Sequence, residues 1–201
     1  MKFTDRLLQN WRISQVRPFI APGSKILDVG SADGALFSAL GSAVGAGSLG
    51  VDPALKQPLT VNGCQLLPGY FPASIPPAAG PFDIITMLAV LEHFPVDAYG
   101  SVRSGCEQFL RPGGKLLITV PSPKVDHILA VLTFLRLVDG MAIEQHHGYE
   151  VSHTTTIFPP ATFRLLRHQN FQLGLNNLFV FERMKNTLQA APAGTATTCP
   201  Q

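Results

Sequence analysis

Charge is scarce in this chain: Asp, Glu, Lys and Arg make up 14% of the 201 residues, and the net charge is only +2. The 15 basic residues are scattered rather than gathered into a run, so the electrostatic footprint of a nucleic-acid binder is missing. A small molecule is therefore the expected partner. Cysteine is equally sparse, with Cys64, Cys106 and Cys199 far apart and in no paired-ligand spacing. That excludes a disulfide framework, argues against a structural metal site and fits a reducing compartment. Long hydrophobic runs are also lacking. The greasiest stretch, 125–138, is interrupted by Asp126, His127 and Arg136 and is shorter than the roughly 20 residues needed to span a bilayer. In the first twenty residues, Lys2, Asp5, Arg6, Arg12 and Arg17 break up any signal-peptide core, so a cytoplasmic location is expected.

What is abundant is apolar side chain, 46% of the residues, enough to bury a full core. The pattern alternates short β-rich runs with amphipathic stretches. It predicts a helix at 3–19, strands at 25–29 and 48–51 around a helix at 33–43, and a turn or short helix over the proline-bearing segment 53–63. A strand at 64–67, a proline-rich loop at 68–81, a continuous apolar strand at 82–88 and a helix at 96–109 follow. Arg111-Pro112-Gly113-Gly114 then turns the chain into a strand at 115–120. A variable segment at 123–157, with an apolar helix at 125–138, precedes a helix at 160–168 and closing strands at 171–175 and 178–182. Strands joined by crossover helices make a mostly parallel α/β sheet. One domain is expected over 1–186, with a disordered Ala-, Thr- and Pro-rich tail at 187–201.

The strongest local signal is Asp28-Val-Gly30-Ser31-Ala32-Asp-Gly34, where a buried strand runs through a glycine-bearing turn into a helix. Gly30 permits the tight turn and Gly34 close packing, and the bare backbone lets a nucleotide-like ligand approach. Asp52 ends the next strand, where a carboxylate accepts hydrogen bonds from both hydroxyls of a ribose. Asp28, just before the turn, favours a cationic group such as an ammonium over the pyrophosphate of a dinucleotide. Two rivals remain at this stage: Asp28 as a backbone cap of the turn, and a nicotinamide-dependent oxidoreductase.

These residues resemble the class I S-adenosylmethionine-dependent methyltransferases, in particular the small-molecule group that includes the ubiquinone and menaquinone biosynthesis enzymes. Four motifs carry the resemblance: the turn Asp28–Gly34, the acid of Gly50-Val51-Asp52, the fourth-strand run Phe82 to His93 with its Leu91-Glu92-His93 end, and Leu110-Arg111-Pro112-Gly113-Gly114-Lys115. Their order and spacing match over about residues 25–122. The resemblance implies a Rossmann-like fold, a mostly parallel seven-stranded sheet with helices on both faces. It implies S-adenosylmethionine as cofactor and S-adenosylhomocysteine as product. Carried over by position, Asp28, Gly30, Ser31, Ala32 and Gly34 would hold the methionine part, Asp52 the ribose, and Pro53 would lie beside adenine. Leu88, Ala89, Glu92 and His93 would surround the methyl-donor end. Ala32 replaces the family's middle glycine. The acid that often follows strand three is missing from Leu67-Pro68-Gly69-Tyr70-Phe71, so Tyr70 or Phe71 stacks on adenine instead, or Phe71 is simply core.

Methyl transfer from a sulfonium to O, N or C of a small metabolite depends chiefly on positioning in an apolar site. A hydroxyl acceptor also needs a base, for which His93, His146 and His147 are the candidates. For His93 the resemblance favours support of the cofactor loop over catalysis. His146, His147 and His153, with Glu144, fall where the family builds its substrate wall; adjacent loop histidines rarely reach one ion, so no metal is expected. The helix at 125–138 is either buried packing or a lid over an apolar acceptor. The partner is thus a small-molecule methyl acceptor, with the protein a monomer or homodimer. A cofactor-binding protein without turnover, acting as the partner of another enzyme, is the alternative.

Overall fold

The computed structural model of the chain describes residues 3–122 and 150–185. The expected helix at 125–138, Glu144, His146, His147 and the tail at 187–201 lie outside the described residues.

Strand β1 (Ile26–Val29) is buried at every position because each of its faces is covered. Side chains alternate across a strand. Ile26 joins one apolar cluster with Ile13, Val16, Leu36 and Phe37, while Leu27 and Val29 join another with Phe71, Val102, Cys106 and Phe109. The first cluster brings in α1 (Phe3–Val16) and α2 (Ala35–Leu40); the second brings in α3 (Tyr99–Phe109) and α4 (His153–Ile157). Helices therefore cover both faces, as expected. Among the described residues no helix is long and apolar enough to cross a membrane.

The remaining strands are β2 (Leu49–Asp52), β3 (Leu59–Val61), β4 (Cys64–Pro68), β5 (Phe82–Leu88), β6 (Leu110–Pro121), β7 (Phe163–Phe171) and β8 (Asn176–Arg183). They form one sheet in the order β3-β4-β2-β1-β5-β6-β8-β7. Strands β4, β2, β1, β5 and β6 run parallel. Strands β3, β7 and β8 pair antiparallel. The order reverses beside β1, and in open α/β sheets such a reversal opens a crevice at the carboxyl ends of the strands.

The sheet has eight strands rather than seven, because part of the 53–63 segment is strand. Asn62 and Gly63 both adopt positive φ, 49° and 76°, and place Val61 opposite Cys64. This is the two-residue hairpin geometry that an Asn-Gly pair favours. A larger correction concerns 160–168, expected as a helix. Residues Phe163–Phe171 form an edge strand whose backbone pairs with β8 from Phe163↔Arg183 to Phe171↔Asn176. Only the two phenylalanines at its ends are buried, so the edge strand lacks the alternation that reveals a half-buried one. The strand expected at 171–175 is instead the connecting turn, with Gln172, Leu173 and Gly174 all at positive φ.

Arg111–Gly114 is not a break before a strand but a bulge within β6, opposite Asp83, where the register with β5 shifts. Arg111 Nε donates to Asp83 Oδ1 at 2.6 Å and the Lys25 backbone N–H donates to Asp83 Oδ2 at 2.8 Å. One carboxylate thus joins β1, β5 and β6 at the end of the sheet away from the crevice. The Lys25 N–H, aided by the Arg111 guanidinium and opposed by partial burial, holds this carboxyl below the ordinary aspartate range. A depressed acid stabilises the fold above its unfolded pKa and loses that contribution as pH falls. Asp83→Ala should therefore cost about 1–2 kcal/mol at pH 7, and progressively less below about pH 4. Urea unfolding of both proteins at the two pH values measures this; an equal cost at both would remove the electrostatic account.

Candidate functional site

The crevice at the carboxyl ends of β1, β2 and β5 is a cleft of about 530 Å³. Its floor is the turn after β1. The backbone N–H groups of Gly30 and Ser31 both donate to the Val51 carbonyl, at 2.8 and 3.2 Å, and Gly34 N–H donates to Ser31 O at 2.8 Å. The Asp52 carboxylate completes the lock, accepting from Ala32 N–H through Oδ2 and from Ala54 N–H through Oδ1, each at 2.8 Å. Gly30 sits at φ 75°, and a Cβ there would lie 2.3 Å from Val90 Cγ2, so glycine is required twice over. Ala32 (φ 44°) and Ala89 (φ 58°) adopt the left-handed conformation without being glycine. Both line the cleft, the kind of local strain that collects at functional sites.

Asp28, Gly30, Ser31, Ala32, Asp52, Pro53, Leu88, Ala89 and His93, all expected in the site, line this cleft. Gly34 does not. Its added Cβ would lie 2.9 Å from Val61 and 3.0 Å from Leu66, so its role is to let the β3–β4 hairpin close over the turn. Tyr70 and Phe71 border a smaller cavity of about 100 Å³ that shares Gly30, Pro53, Val90 and His93 with the main cleft. Phe71 is buried with Phe109, ring centroids 6.3 Å apart, as the core reading requires, whereas Tyr70 is 70% exposed. Glu92, also expected in the site, is buried and is not among the cleft-lining residues. His153 opens α4, its Nδ1 accepting from the Glu150 backbone N–H at 3.4 Å, and is not among the cleft-lining residues.

Residues of α1 complete the wall: Gln9, Arg12 and Ile13, with Leu36, Ala54 and Val90 from elsewhere. Sequence reading missed them. The periodicity that groups them is present, because Gln9 lies at i−4 from the buried Ile13 and at i−7 from the buried Val16, the spacing of one helix face, but nothing local places that face beside the cleft. Arg12 flanks that face, so a guanidinium stands at the rim of an apolar seam.

Two acids in and beside the cleft are far from their ordinary ionisation. Burial raises the Asp28 carboxyl to about 7; the Thr86 hydroxyl opposes this and the Asp52 charge adds to it. Burial also raises Glu92 to about 7, against its own backbone N–H and the Arg12 charge. Glu92 Oε2 makes no hydrogen bond within the described residues. Removing a carboxylate from water without full compensation costs the fold, so both acids weigh on stability once they are charged. A folded-state pKa raised above the unfolded value lowers stability as pH rises between the two values. Glu92→Gln should leave stability near pH 4 unchanged and raise it at pH 8 by on the order of 3 kcal/mol. Chemical unfolding across pH tests this, and a variant less stable than the parent at pH 8 would contradict it.

A family model described as a methyltransferase domain matches residues 3–179. The ubiquinone biosynthesis O-methyltransferase of Nitrosococcus oceani is 39% identical over 106 residues, covering 48% of this chain and 43% of that protein. The enzyme of the same name from Azotobacter vinelandii is 33% identical over 135 residues, covering 61% and 54%. The match thus spans about half the length of these curated relatives. Among solved structures, the fold is similar to that of the 1,6-didemethyltoxoflavin-N1-methyltransferase of Burkholderia thailandensis, with its substrate and S-adenosylhomocysteine bound. The TM-score is 0.64 at 16% identity, over 91% of this chain and 81% of that one.

Proposed function

The chain belongs to the methyltransferase-domain family, and from that premise we propose that it transfers a methyl group from S-adenosylmethionine to an oxygen of a small acceptor, leaving S-adenosylhomocysteine. The observation that carries the reading is the pair of buried carboxylates, Asp28 and Asp52, at neighbouring strand ends across one glycine turn. The choice of oxygen is supported by the two relatives, both O-methyltransferases. The fit is chemical. Asp28 answers an ammonium, Arg12 a carboxylate, and the cleft volume lies in the range of small-molecule sites.

Each residue has a task. Asp28 holds the amino group of the cofactor and Arg12 its carboxylate. Asp52 has already oriented both oxygens on Ala32 and Ala54 N–H, and each oxygen keeps a second acceptor site for a ribose hydroxyl. Pro53 and Tyr70 would border the adenine, and Gly30 and Ser31 the chain that joins the two ends. When bound, the cofactor supplies an electrophilic methyl group on a sulfonium. Ile13, Leu88, Ala89 and Val90 make that region apolar, excluding water and holding the acceptor in line. His93, the one histidine lining the cleft among the described residues, takes the acceptor hydroxyl proton. The acceptor is a small and partly apolar molecule, and the protein works in the cytoplasm as a monomer or homodimer.

Calorimetry and labelled-methyl transfer to a panel of phenols and catechols test these roles. Gly30→Val should abolish S-adenosylhomocysteine binding, and Asp52→Ala should weaken it by about ten-fold or more. Arg12→Ala should weaken S-adenosylhomocysteine but not 5′-methylthioadenosine, which lacks the amino-acid group. His93→Ala should lower kcat by about 10²–10⁴ while leaving cofactor affinity unchanged. Undiminished affinity in both Gly30→Val and Asp52→Ala would remove the pocket assignment, and binding without transfer to any acceptor would remove the enzymatic one.

A further inference from the structure

Strand β5 is apolar between Ile84 and Leu88 except at Thr86, where valine would have the same shape and an equal preference for strands. Thr86 is entirely buried. It sits in register with Asp28 on the adjacent strand, and its Oγ1 donates to Asp28 Oδ1 at 2.6 Å. The hydroxyl therefore spends its one donor on one oxygen of the acid that floors the cleft and leaves Oδ2 for a ligand. Of the other titratable and charged groups, Asp52 at the end of β2 acts on Asp28 through its charge, Arg12 from α1 and His93 from the segment after β5 line the same cleft, and Glu92 beside His93 in sequence is buried. Asp33 on the turn itself is exposed.

From this geometry we infer that Thr86 is a positioning residue for cofactor binding: its hydroxyl orients the Asp28 carboxylate and favours its charged form, and so helps to set the pH at which the cleft takes an ammonium-bearing ligand. The inference rests on the reading that the cleft binds S-adenosylmethionine and its product. The physical step is a proton exchange. In the ligand-free protein Asp28 is raised to about 7, so near neutrality a share of the molecules carries a proton there. An ammonium pairs only with the carboxylate, and on binding that proton leaves to the solvent. The Thr86 hydroxyl, bonded to the anion, lowers the cost of this release. Without it the release is more costly, and affinity at neutral pH falls although nothing that touches the ligand has changed.

The experiment measures dissociation constants of the full chain for S-adenosylhomocysteine and for 5′-methylthioadenosine between pH 6 and 8, with proton release taken from calorimetry in two buffers. For the parent protein, S-adenosylhomocysteine affinity should rise about ten-fold over this range, with proton release, while 5′-methylthioadenosine affinity stays flat. Thr86→Val should lose roughly ten-fold at pH 7 for S-adenosylhomocysteine alone, with the pH profile displaced upward by roughly one unit. Thr86→Ser should restore both, and Asp28→Asn should flatten the profile. Thermal melts of Thr86→Val and Thr86→Ser separate loss of fold from loss of affinity. The inference is overturned if Thr86→Val matches the parent, if it loses both ligands equally, or if serine does not rescue it. Failure of the parent itself to bind S-adenosylhomocysteine would instead remove the cofactor reading, and this inference with it.

Discussion

The Asp52 carboxylate holds the site together. Both of its oxygens are engaged by backbone N–H groups, one on the turn after β1 and one just beyond β2, and the Val51 carbonyl takes two more N–H groups of the same turn. A buried backbone donor left unpaired is costly, so the short connection from β1 to α2 has little freedom to open elsewhere. Gly30 and Ala32 are held at positive φ by this lock. Its consequence is spatial. Asp28, Asp52 and the glycine turn converge at the reversal of strand order, where the carboxyl ends of the parallel strands part and leave room for a ligand.

This arrangement works against stability. Asp28 and Glu92 are acids in surroundings that favour their neutral forms, and Ala32 and Ala89 occupy backbone conformations that side-chain-bearing residues avoid. These costs are carried by the two apolar clusters on either face of the sheet, which include Phe37 on one side and Phe82, Phe158, Phe163, Phe179 and Phe181 on the other. Away from the cleft, Asp83 is in the opposite situation, a satisfied and depressed acid that ties three strands together. The motif run from Leu110 to Lys115 therefore belongs to the scaffold, while the motif run from Asp28 to Ala32 lines the cleft.

Much of this was legible in the residues. The central strands are continuous apolar runs, and a buried run between turn signals has few alternatives in an α/β pattern. Asp28, Gly30 and Asp52 were legible because a turn that must admit a ligand restricts which residues can occupy it. The hairpin at Asn62–Gly63 is equally legible in its dipeptide, which dictates a two-residue turn, but the prolines of 53–63 argue locally against a strand and mask it. The edge strand Phe163–Phe171 was not legible. Five successive exposed residues between its terminal phenylalanines carry no period, and only pairing with β8 determines their conformation.

The sequence by itself determined the class of fold, the succession of the central strands along the chain and the acids that flank the turn, because these depend on neighbouring residues and on local backbone geometry. Tertiary structure alone decided that α1 lends Gln9, Arg12 and Ile13 to the cleft, that Gly34 packs against the hairpin instead of lining the cleft, and that Thr86 reaches Asp28. Contacts of that kind join residues tens of positions apart. Their partners are chosen by strand register and helix docking, which no local pattern of side chains encodes.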